Sequence, residues 1–439
     1  MAGGRVAIVG GGFSGAMLAA RLAERGVASS LIDRTGTFGP GVAYSTGFDG
    51  HLLNVRSGRM SAVEARPDHF TRWLGARHPG QADPEGFISR RLYGLYLEDR
   101  LAAVEADRPG LIRRVAGEAV AIEGPVVLLA DGRRVEADAI VIATGNPSPK
   151  TADPARLVAS DRLIGDPWAT DTLARIDADD DVIILGTGLT MIDVLLGLQA
   201  RGWNGRAVAL SRRGLTPRAH GARHGAAITP GEAMTCGPLS RRLAQARRLA
   251  DDGGWRGVME GLRPITATLW VAADDATRAR FLRHLRPWWD VHRHRIADSV
   301  ATAVGTLRAE ERLIVVAGRV SRVEETADGI ALDWMPRGAT EPSALSGRWL
   351  IDCTGPGHDP ATDPLTGPLL ASGRVALGPL GLGLDLDAEG RVLGADGAPD
   401  PCLFVLGPPA RAAYWETIAV PDIRKRIEGL TLTLANAGR

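Results

Sequence analysis

The 439-residue chain has few of the residues that cross-link small proteins or anchor proteins in membranes. It contains three cysteines, Cys236, Cys353 and Cys402, which lie far apart and form no C-x-x-C or C-x-x-x-x-C pair. A disulfide framework and a redox dithiol are therefore not expected, and we interpret the three as ordinary buried thiols. No apolar run approaches the roughly 20 residues that span a bilayer, so no membrane partner is expected.

The chain also lacks a strong charge of either sign. Lys150 and Lys425 are its only lysines, but arginine brings the basic total to 52 against 51 acidic residues, and the formal net charge is +1. This balance does not predict nucleic-acid binding. The first residues, MAGGRVAIVGGG, run directly into a β-branched strand without the apolar core of a signal peptide, so we expect a cytoplasmic protein.

Glycine is abundant, and its most informative occurrence is RVAIVGGGFSGAMLAARLAERG near the start of the chain. A predicted strand, Val6 to Val9, precedes a G-x-G-x-x-G pattern, and a helix ending near Gly26 follows it. Gly10 permits the tight turn, Gly12 allows the backbone to approach a pyrophosphate, and Gly15 allows close packing of helix on strand. Because the chain is long enough for two or more domains, this pattern predicts the first of them.

A carboxylate follows at the position where such domains bind a ribose. The next predicted strand, SSLID, ends in Asp33, and an acidic side chain there accepts hydrogen bonds from ribose hydroxyls. The strand, the glycine turn, the helix and the acid together predict a dinucleotide site. The competing interpretation is a glycine-rich turn with a surface aspartate.

The pattern recurs in the second half of the chain. DDVIILGTGLT contains a predicted strand, Val182 to Leu185, and the glycines Gly186 and Gly188, but Met191 stands where the third glycine is expected. A helix ending near Gly202 follows. Since the third glycine serves packing rather than phosphate contact, we expect Met191 to loosen the packing of helix on strand and to leave Gly186 and Gly188 free to approach a pyrophosphate.

Each glycine turn is followed by a hydrophobic strand that ends in a Thr-Gly pair. The first is DAIVIATGNP, with Thr144 and Gly145, and the second is WLIDCTGPG, with Thr354 and Gly355. A plain strand-to-loop junction would explain either pair alone. Their recurrence predicts two nucleotide-binding domains in tandem.

The residues after the next strand of the second unit indicate which dinucleotide binds there. The strand RAVAL is followed by Ser211, Arg212 and Arg213, where the first unit has Asp33. A carboxylate suits a free ribose 2'-hydroxyl, whereas guanidinium groups suit a 2'-phosphate. We therefore predict NADPH rather than NADH, with a solvated basic turn as the competing interpretation.

Residues 215 to about 310 have a different character. Segments such as PLSRRLAQARRLADD place apolar residues at spacings of three and four, which predicts helices inserted into the second domain. The loop PRAHGARHGAAI offers His220, Arg223 and His224 as weak substrate candidates, or else lies in solvent. No metal site is expected, because His292 and His294 are about 200° apart around a helix.

Together these motifs resemble the flavoproteins with two dinucleotide-binding domains, which include flavin-containing and N-hydroxylating monooxygenases. GVAYST, HLLNVRSGRMSA, PDHF, RRLYGLYL, SRRGLTPRAH and WETIAVPDIR are similar to segments of bacterial FAD/NAD(P)-binding proteins. The resemblance implies an α/β fold of two Rossmann-like domains, of glutathione-reductase-like architecture, with a helical insertion. We place the first part of an FAD domain at 1–160, an NAD(P)H domain at 161–356 and the completion of the FAD domain at 357–439.

The resemblance also implies which loops contact the flavin. The candidates are Gly39, Gly41, Ala43 and Asn54, the last because an amide in the apolar run LLNV requires hydrogen-bond partners. Many relatives end a late strand in Gly-Asp and use the aspartate to reach the ribityl chain. Here a proline follows Gly407 in place of that aspartate.

Two further features have two interpretations each. The helix of AVPDIRKRIEGLTLTLA has Pro421 in its first turn. Its N-terminus either faces the flavin, where the helix dipole stabilises negative charge, or the helix only closes the sheet. Arg59, Arg90 and Arg91 either reach a cofactor phosphate or an anionic substrate, or they form ion pairs.

The function that the resemblance implies is an FAD-dependent, NADPH-consuming monooxygenase. NADPH would reduce the flavin, O2 would form a C4a-hydroperoxide, and a small polar substrate such as a urate-like purine, an amine or an amino acid would accept one oxygen. The other hypotheses are an NADPH-dependent flavin reductase or dehydrogenase, and a non-catalytic sensor that binds FAD and NADPH. Neither catalytic side chains nor the oligomeric state is predicted.

Overall fold

The computed structural model describes residues 5–146, 160–169, 171–221, 226–355 and 360–437. Within them, two large β-sheets of six and seven strands and a small sheet of three strands carry helices on their faces. Each large sheet has one of the two glycine turns at its centre.

The first part of the chain forms a parallel β–α–β core. Its strands and helices are β1 (Val6–Val9), α1 (Phe13–Glu24), β2 (Ser29–Asp33), α2 (Gly41–Tyr44), α3 (His69–Arg77), α4 (Arg90–Asp107), β3 (Ile112–Ala116), β4 (Ala119–Glu123), β5 (Val126–Leu129), β6 (Arg134–Glu136) and β7 (Ala139–Ile142). Strand β1 pairs in parallel with β2 on one side and with β7 on the other. Every residue of β1 is buried, as expected of a central parallel strand that is covered on both faces.

The middle part of the chain forms the second unit. Its strands and helices are β8 (Leu163–Ile164), β9 (Val182–Leu185), α5 (Leu189–Ala200), β10 (Ala207–Ser211), α6 (Glu232–Thr235), α7 (Leu239–Gly253), α8 (Trp255–Leu262), α9 (Thr266–Val271), α10 (Asp275–Arg280), α11 (Arg286–Arg293), α12 (Asp298–Ala309), β11 (Leu313–Thr326), β12 (Gly329–Pro336), β13 (Ser343–Gly347) and β14 (Trp349–Asp352). The sheet order is β13-β12-β11-β10-β9-β14-β8, with a parallel centre and an antiparallel extension formed by β11, β12 and β13.

The last part of the chain returns to the first sheet. It comprises α13 (Thr366–Ala371), β15 (Arg391–Leu393), β16 (Pro399–Val405) and α14 (Val420–Ala437). Strand β16 pairs in parallel with β7, so the completed order is β15-β16-β7-β1-β2-β3. Helix α14 packs on α1 through Val420, Ile423 and Ile427, which belong to the same buried apolar cluster as Met17. The first unit is therefore assembled from both ends of the chain.

The predicted helical insertion is present, but its last helix has a different role. Helices α6 to α11 form the inserted layer. Helix α12 instead buries Val300, Val304 and Leu307 in one apolar cluster with Ile192 of α5, and β11, which follows it, pairs in parallel with β10. Helix α12 is thus the crossover helix of the second unit, and the insertion ends before it. The boundaries at 160 and 356 stay predictions, since they lie beside or within ranges outside the described residues.

The structure also bears on the interpretation of the cysteines and on the apolar length of the helices. Of the three cysteines interpreted as buried, only Cys353 is buried, whereas Cys402 is half-buried and Cys236 is exposed. The interpretation was wrong for Cys236 because it lies in the short connection between α6 and α7, outside the apolar clusters. Among the described residues, none of the helices combines the length and the apolar character that crossing a membrane requires.

Candidate active site

The first glycine turn connects the end of β1 to the start of α1. Gly10 has a φ of +112°, and a Cβ at this position would lie 2.3 Å from the carbonyl oxygen of Ala143. A Cβ on Gly15 would lie 1.9 Å from the carbonyl oxygen of Gly10. Both positions therefore require glycine, and together they hold the start of α1 against the ends of β1 and β7.

The N-terminus of α1 is suited to an anion. Gly12 is its N-cap residue and supplies no side-chain hydrogen bond, so the first-turn N–H groups and the helix dipole favour a phosphate. The loop after β2 covers this turn: Gly39 donates its N–H to the carbonyl oxygen of Gly11 at 2.8 Å. A Cβ on Gly12 would lie 3.4 Å from the Cα of Gly41. The cradle is narrow enough that a side chain at Gly12 would occupy it.

The short helix α2 directly follows the loop that covers the first glycine turn. Ala43 is exposed, and its neighbour Val42 is 73% exposed, the largest fraction among the exposed large hydrophobic residues. An apolar surface beside the anion-binding turn is the kind of surface that a flat aromatic ring would cover. The flavin-contact role of Gly39, Gly41 and Ala43 stays a prediction.

Asp33 lies at the end of β2, beside the turn. Its Oδ2 accepts a hydrogen bond from the N–H of Gly11 at 2.8 Å. Its Oδ1 accepts from the N–H and the hydroxyl of Thr35, at 2.8 and 2.7 Å. The side chain is only half-buried, and a carboxylate oxygen can accept more than one hydrogen bond, so the ribose-binding role predicted for Asp33 is compatible with this geometry.

Three more predicted residues surround the same helix terminus. Thr144 and Gly145 directly follow β7, and Gly145 has a φ of +78°. Gly407, shortly after β16, has a φ of +80°, and a Cβ there would lie 2.7 Å from the hydroxyl oxygen of Ser14 in α1. The carboxyl ends of β1, β7 and β16 therefore converge on the start of α1, which is where ligands bind in parallel α/β sheets.

The second glycine turn repeats this geometry with one change. Gly186 has a φ of +97°, and a Cβ there would lie 2.3 Å from the carbonyl oxygen of Cys353. Gly188 is the N-cap of α5, and no atom lies within 4 Å of the position of its Cβ. Met191 is fully buried. The backbone nitrogen of Ile192 lies 3.4 Å from the carbonyl oxygen of Gly188, so the first hydrogen bond of α5 is long.

A cavity of about 960 Å³ lies beside the second turn, at the ends of β10 and β14. Arg212 and Arg213 line it, as predicted, and further basic residues come from the insertion and the antiparallel extension. These are Arg283, His284, Arg286, Arg319 and Arg337. The one carboxylate in the lining, Asp290, already pairs with Arg286 at 3.5 Å. The excess of guanidinium groups suits phosphate groups.

Sequence reasoning missed most of this basic lining. Arg319 lies on β11 and Arg337 just after β12, more than 100 positions beyond Arg212. The parallel pairing of β11 with β10 and the antiparallel pairing of β12 with β11 bring them to the cavity. The available signal was the run of arginines in FLRHLRPWW, which supplies Arg283 and Arg286. In an arginine-rich chain that run does not stand out.

Asn54 and His220, predicted separately as flavin and substrate residues, meet between the two units. His220 donates its Nε2–H to the backbone carbonyl oxygen of Asn54 at 2.9 Å, and its ring centroid lies 4.8 Å from that of Phe87. His220 is 7% exposed, so the interpretation as a solvent loop is wrong for this residue. Asn54 is half-buried and uses its backbone, not its amide, in this contact. Arg223 and His224 lie outside the described residues.

The three arginines with open interpretations all form ion pairs. Arg90 holds Asp193 of α5 through two hydrogen bonds, at 2.7 and 3.2 Å, and both side chains are largely buried. Arg91 pairs with Asp49 at the surface. The Arg90–Asp193 pair joins α4 of the first unit to the helix of the second glycine turn, so it positions the two turns relative to each other.

Arg59 belongs to a larger buried charged cluster. Glu260 of α8 accepts hydrogen bonds from Arg59, at 2.7 Å, and from Arg295. Burial opposes the ionisation of Glu260, but the two guanidinium groups outweigh it and lower its pKa to about 2. The carboxylate is thus charged at neutral pH and ties the insertion to the loop after α2.

The same cluster reaches the last part of the chain. Arg293 lies 3.3 Å from Glu416 and 3.9 Å from Asp422, which is in the first turn of α14. Trp289 donates its indole N–H to Glu416 at 2.8 Å, and burial raises the pKa of Asp422. The start of α14 therefore faces Arg293, while its apolar side packs on α1 and closes the sheet. No sequence pattern predicts this cluster, because its members come from three distant segments.

Comparisons with known proteins agree with this architecture. Residues 7–147 match a family of FAD-NAD(P)-binding proteins. No curated protein matches the chain in sequence. The ornithine N-hydroxylase of Kutzneria sp. 744, solved with reduced FAD, NADP+ and L-ornithine, is 17% identical, with 100% of both chains covered and a TM-score of 0.67.

Two other solved structures are similar over nearly their whole length. L-lysine 6-monooxygenase from Pseudomonas syringae is 16% identical, with 99% of each chain covered and a TM-score of 0.67. Thioredoxin reductase from T. acidophilum is 10% identical, with 98% of this chain and 97% of that chain covered and a TM-score of 0.55. The predicted fold, two Rossmann-like dinucleotide-binding domains in a reductase-like arrangement, is confirmed.

Proposed function

We propose that the protein is an FAD-dependent, NADPH-consuming monooxygenase that hydroxylates a small amine or amino acid. The observation that carries this proposal is the pair of glycine turns, each of which directs an uncapped helix N-terminus at the ends of parallel strands. The full-length likeness in fold to hydroxylases of ornithine and lysine supports the amine or amino-acid substrate. Fold alone does not define a reaction, so the proposal needs a direct test.

The first turn is the proposed FAD site. The first-turn N–H groups of α1 and Gly12 would hold the pyrophosphate, and Asp33 would accept hydrogen bonds from the ribose. Gly41 and Ala43 would lie against the flavin ring system. Gly145 and Gly407 would lie beside the ribityl chain, which joins the flavin ring to the pyrophosphate. When bound, a flavin supplies the redox chemistry and the oxygen activation that no amino-acid side chain provides.

The second turn is the proposed NADPH site. Gly186 and Gly188 leave the backbone of α5 open to a pyrophosphate, since the space around Gly188 is clear to 4 Å. Arg212 and Arg213 would bind the 2'-phosphate, and the lining of the cavity adds Arg319 and Arg337 as further candidates. A guanidinium group pairs with two oxygens of one phosphate at once, which favours NADPH over NADH.

The chain's own residues would position the two proposed sites relative to each other. The Arg90–Asp193 pair and the contact of His220 with Asn54 hold the second unit against the first. The buried charged cluster around Glu260 and Glu416 holds the insertion in place. His220 stays a substrate candidate on this surface, whereas no acid–base residue is assigned.

The test begins with the FAD-loaded protein under anaerobic conditions. NADPH is expected to bleach the yellow flavin, and admission of O2 with ornithine, lysine, other amines or urate is expected to restore the colour and yield a product heavier by one oxygen atom in mass spectrometry. Bleaching without an oxygenated product would favour the reductase or dehydrogenase hypothesis. A bound flavin that NADPH fails to bleach would favour the sensor and rule out both enzyme hypotheses.

A further inference from the structure

A second cavity, of about 580 Å³, lies between helices α3 and α4 on the first unit. Its lining comes from Arg66 and α3 on one side and from the middle of α4 on the other, and it includes His69 of the PDHF motif and Tyr96 of the RRLYGLYL motif. The residues that matter for its chemistry are Arg66, His69, Trp73, Tyr96 and Arg100. None of the residues that line this cavity belongs to either glycine turn. We call it the α3–α4 cavity.

The hydrogen-bond partner of the His69 ring is the buried hydroxyl of Tyr96. Tyr96 is fully buried, and its hydroxyl oxygen accepts the N–H of Ala62 at 3.1 Å and lies 2.8 Å from Nδ1 of His69. The hydroxyl can donate its hydrogen to Nδ1, and in that tautomer the imidazole hydrogen is on Nε2. Burial, together with Arg66 and Arg100, lowers the pKa of His69 to about 4. At neutral pH the ring is uncharged, and in this tautomer Nε2–H is its remaining donor.

The charges around the α3–α4 cavity leave one cation without a carboxylate. Arg100 pairs with Glu24. Arg77 pairs with Asp99 at 3.4 Å, and the same carboxylate accepts the indole N–H of Trp73 at 2.9 Å. Arg66 is exposed and forms no ion pair with any residue in the described part of the chain. The acidic groups at the rim are thus already engaged, and one positive charge remains.

The cavity also has an aromatic wall. The half-buried ring of Trp73 lines it, and the ring of Tyr96 lies 5.6 Å away, centroid to centroid. Aromatic rings of this kind pack well on flat ligands. A volume of about 580 Å³ is within the range of small-molecule sites.

We propose that the α3–α4 cavity binds a small organic monoanion, a carboxylate carried on a flat aromatic body. The guanidinium of Arg66 would pair with the carboxylate, Nε2–H of His69 would donate to it, and the flat body would pack on Trp73. A single unpaired cation beside an indole favours such a ligand over inorganic phosphate, which has no apolar face and carries up to two charges near neutral pH. This site lies beyond the proposed monooxygenase reaction and does not depend on it.

The test measures binding to the FAD-loaded protein by titration calorimetry, with benzoate as the probe. Benzoate is expected to bind saturably. Benzamide, which lacks the charge, cyclohexanecarboxylate, which lacks the flat ring, and inorganic phosphate are each expected to bind at least about 10-fold more weakly. Tighter binding of phosphate than of benzoate, or no saturable binding of benzoate, would overturn the proposal.

Variants then locate the probe. Arg66→Gln and Trp73→Leu are each expected to weaken benzoate binding, by about 10-fold or more for Arg66→Gln. The matched control is Arg72→Gln, because Arg72 is an exposed arginine of α3, close to Arg66 in the chain, that pairs with Asp68 outside the cavity. A thermal unfolding curve confirms that each variant is folded. If Arg66→Gln binds like the wild type, or if Arg212→Gln abolishes binding, the proposal is wrong.

Discussion

The two glycine turns of the molecule share one backbone geometry. Gly10 and Gly186 both have positive φ, and a Cβ on either would lie 2.3 Å from a carbonyl oxygen of the neighbouring strand's end. The helices that follow end alike, with Gly26 at a φ of +77° and Gly202 at +84°. A strand, a turn and a helix of this kind are thus specified mainly by where glycine is placed.

The surroundings of the two turns differ. The first turn is covered by the loop that contains Gly41, whereas the space around Gly188 is clear to 4 Å. The first turn packs on glycine at its third position, Gly15, and the second on the buried side chain of Met191. The same turn geometry therefore occurs once in a covered site, the proposed FAD site, and once in an open site, the proposed NADPH site.

The largest expected effect on the free energy of unfolding comes from substitution at the third position of each turn. Gly15→Ala forces a Cβ to within 1.9 Å of a backbone oxygen, so we expect a loss of more than about 4 kcal/mol and loss of flavin. Met191→Ala leaves a cavity and should cost about 2–4 kcal/mol. Denaturant unfolding followed by tryptophan fluorescence measures both.

A control for that pair is Gly75→Ala in α3, where no atom lies within 4 Å of the added Cβ. Since alanine favours a helix more than glycine does, this variant should be slightly more stable than the wild type. A Gly15→Ala protein as stable as the Gly75→Ala protein would show that the first turn does not need its third glycine.

The second comparison concerns the residue two positions later in each helix. In α1 this is Met17, which packs in the apolar core, and in α5 it is Asp193, which pairs with Arg90. Asp193→Ala leaves Arg90 buried without its counterion, and we expect a loss of about 3–5 kcal/mol in unfolding free energy. The double variant Arg90→Met/Asp193→Leu should recover most of it. A double variant no more stable than Asp193→Ala would contradict this account.

The first glycine of each turn distinguishes the two sites. Gly10→Ala should abolish flavin binding, and Gly186→Ala should retain flavin but lose NADPH affinity, each with a stability loss of about 2–4 kcal/mol. Flavin absorbance per protein and NADPH titration measure the outcome. Gly26→Ala and Gly202→Ala are matched controls, because both have positive φ but no atom within 4 Å of the added Cβ, and each should cost only about 1–2 kcal/mol.

The smallest expected effect is on selectivity between nicotinamide cofactors. Changing Arg212 and Arg213 together to alanine should weaken NADPH binding about 10- to 100-fold and leave NADH nearly unchanged. The matched control is Arg206→Ala, since Arg206 is an exposed arginine at the opposite end of β10 that pairs with Asp181. Equal losses for NADPH and NADH would show that the pair does not read the 2'-phosphate.

Much of the fold could be predicted from the sequence because its signals are local. A β-branched strand, two glycines and an apolar helix occupy consecutive positions, so both turns and their helices were found within a few residues of their actual ends. The Thr-Gly pairs after β7 and β14 were found for the same reason. Local patterns also identified α14, whose apolar residues recur at helical spacing.

The rest depends on contacts between distant segments. Arg59 and Glu260 pair across some 200 positions, and Arg319 lines its cavity only because of strand pairing. The burial of His220 follows from contact with the other unit, which no local pattern signals. Single-residue functional assignments were therefore less secure than the elements that carry them.

The return of the chain's end to the first sheet has a consequence for biosynthesis. Strand β7 and the apolar side of α1 emerge from the ribosome long before β16 and α14, the elements that cover them. Until then the nascent chain exposes the unpaired edge of β7 and the apolar side of α1, both of which promote aggregation. The first sheet can therefore be completed only after β16 and α14 have been synthesised, and a chain shortened by its final 40 residues would lack the elements that complete it.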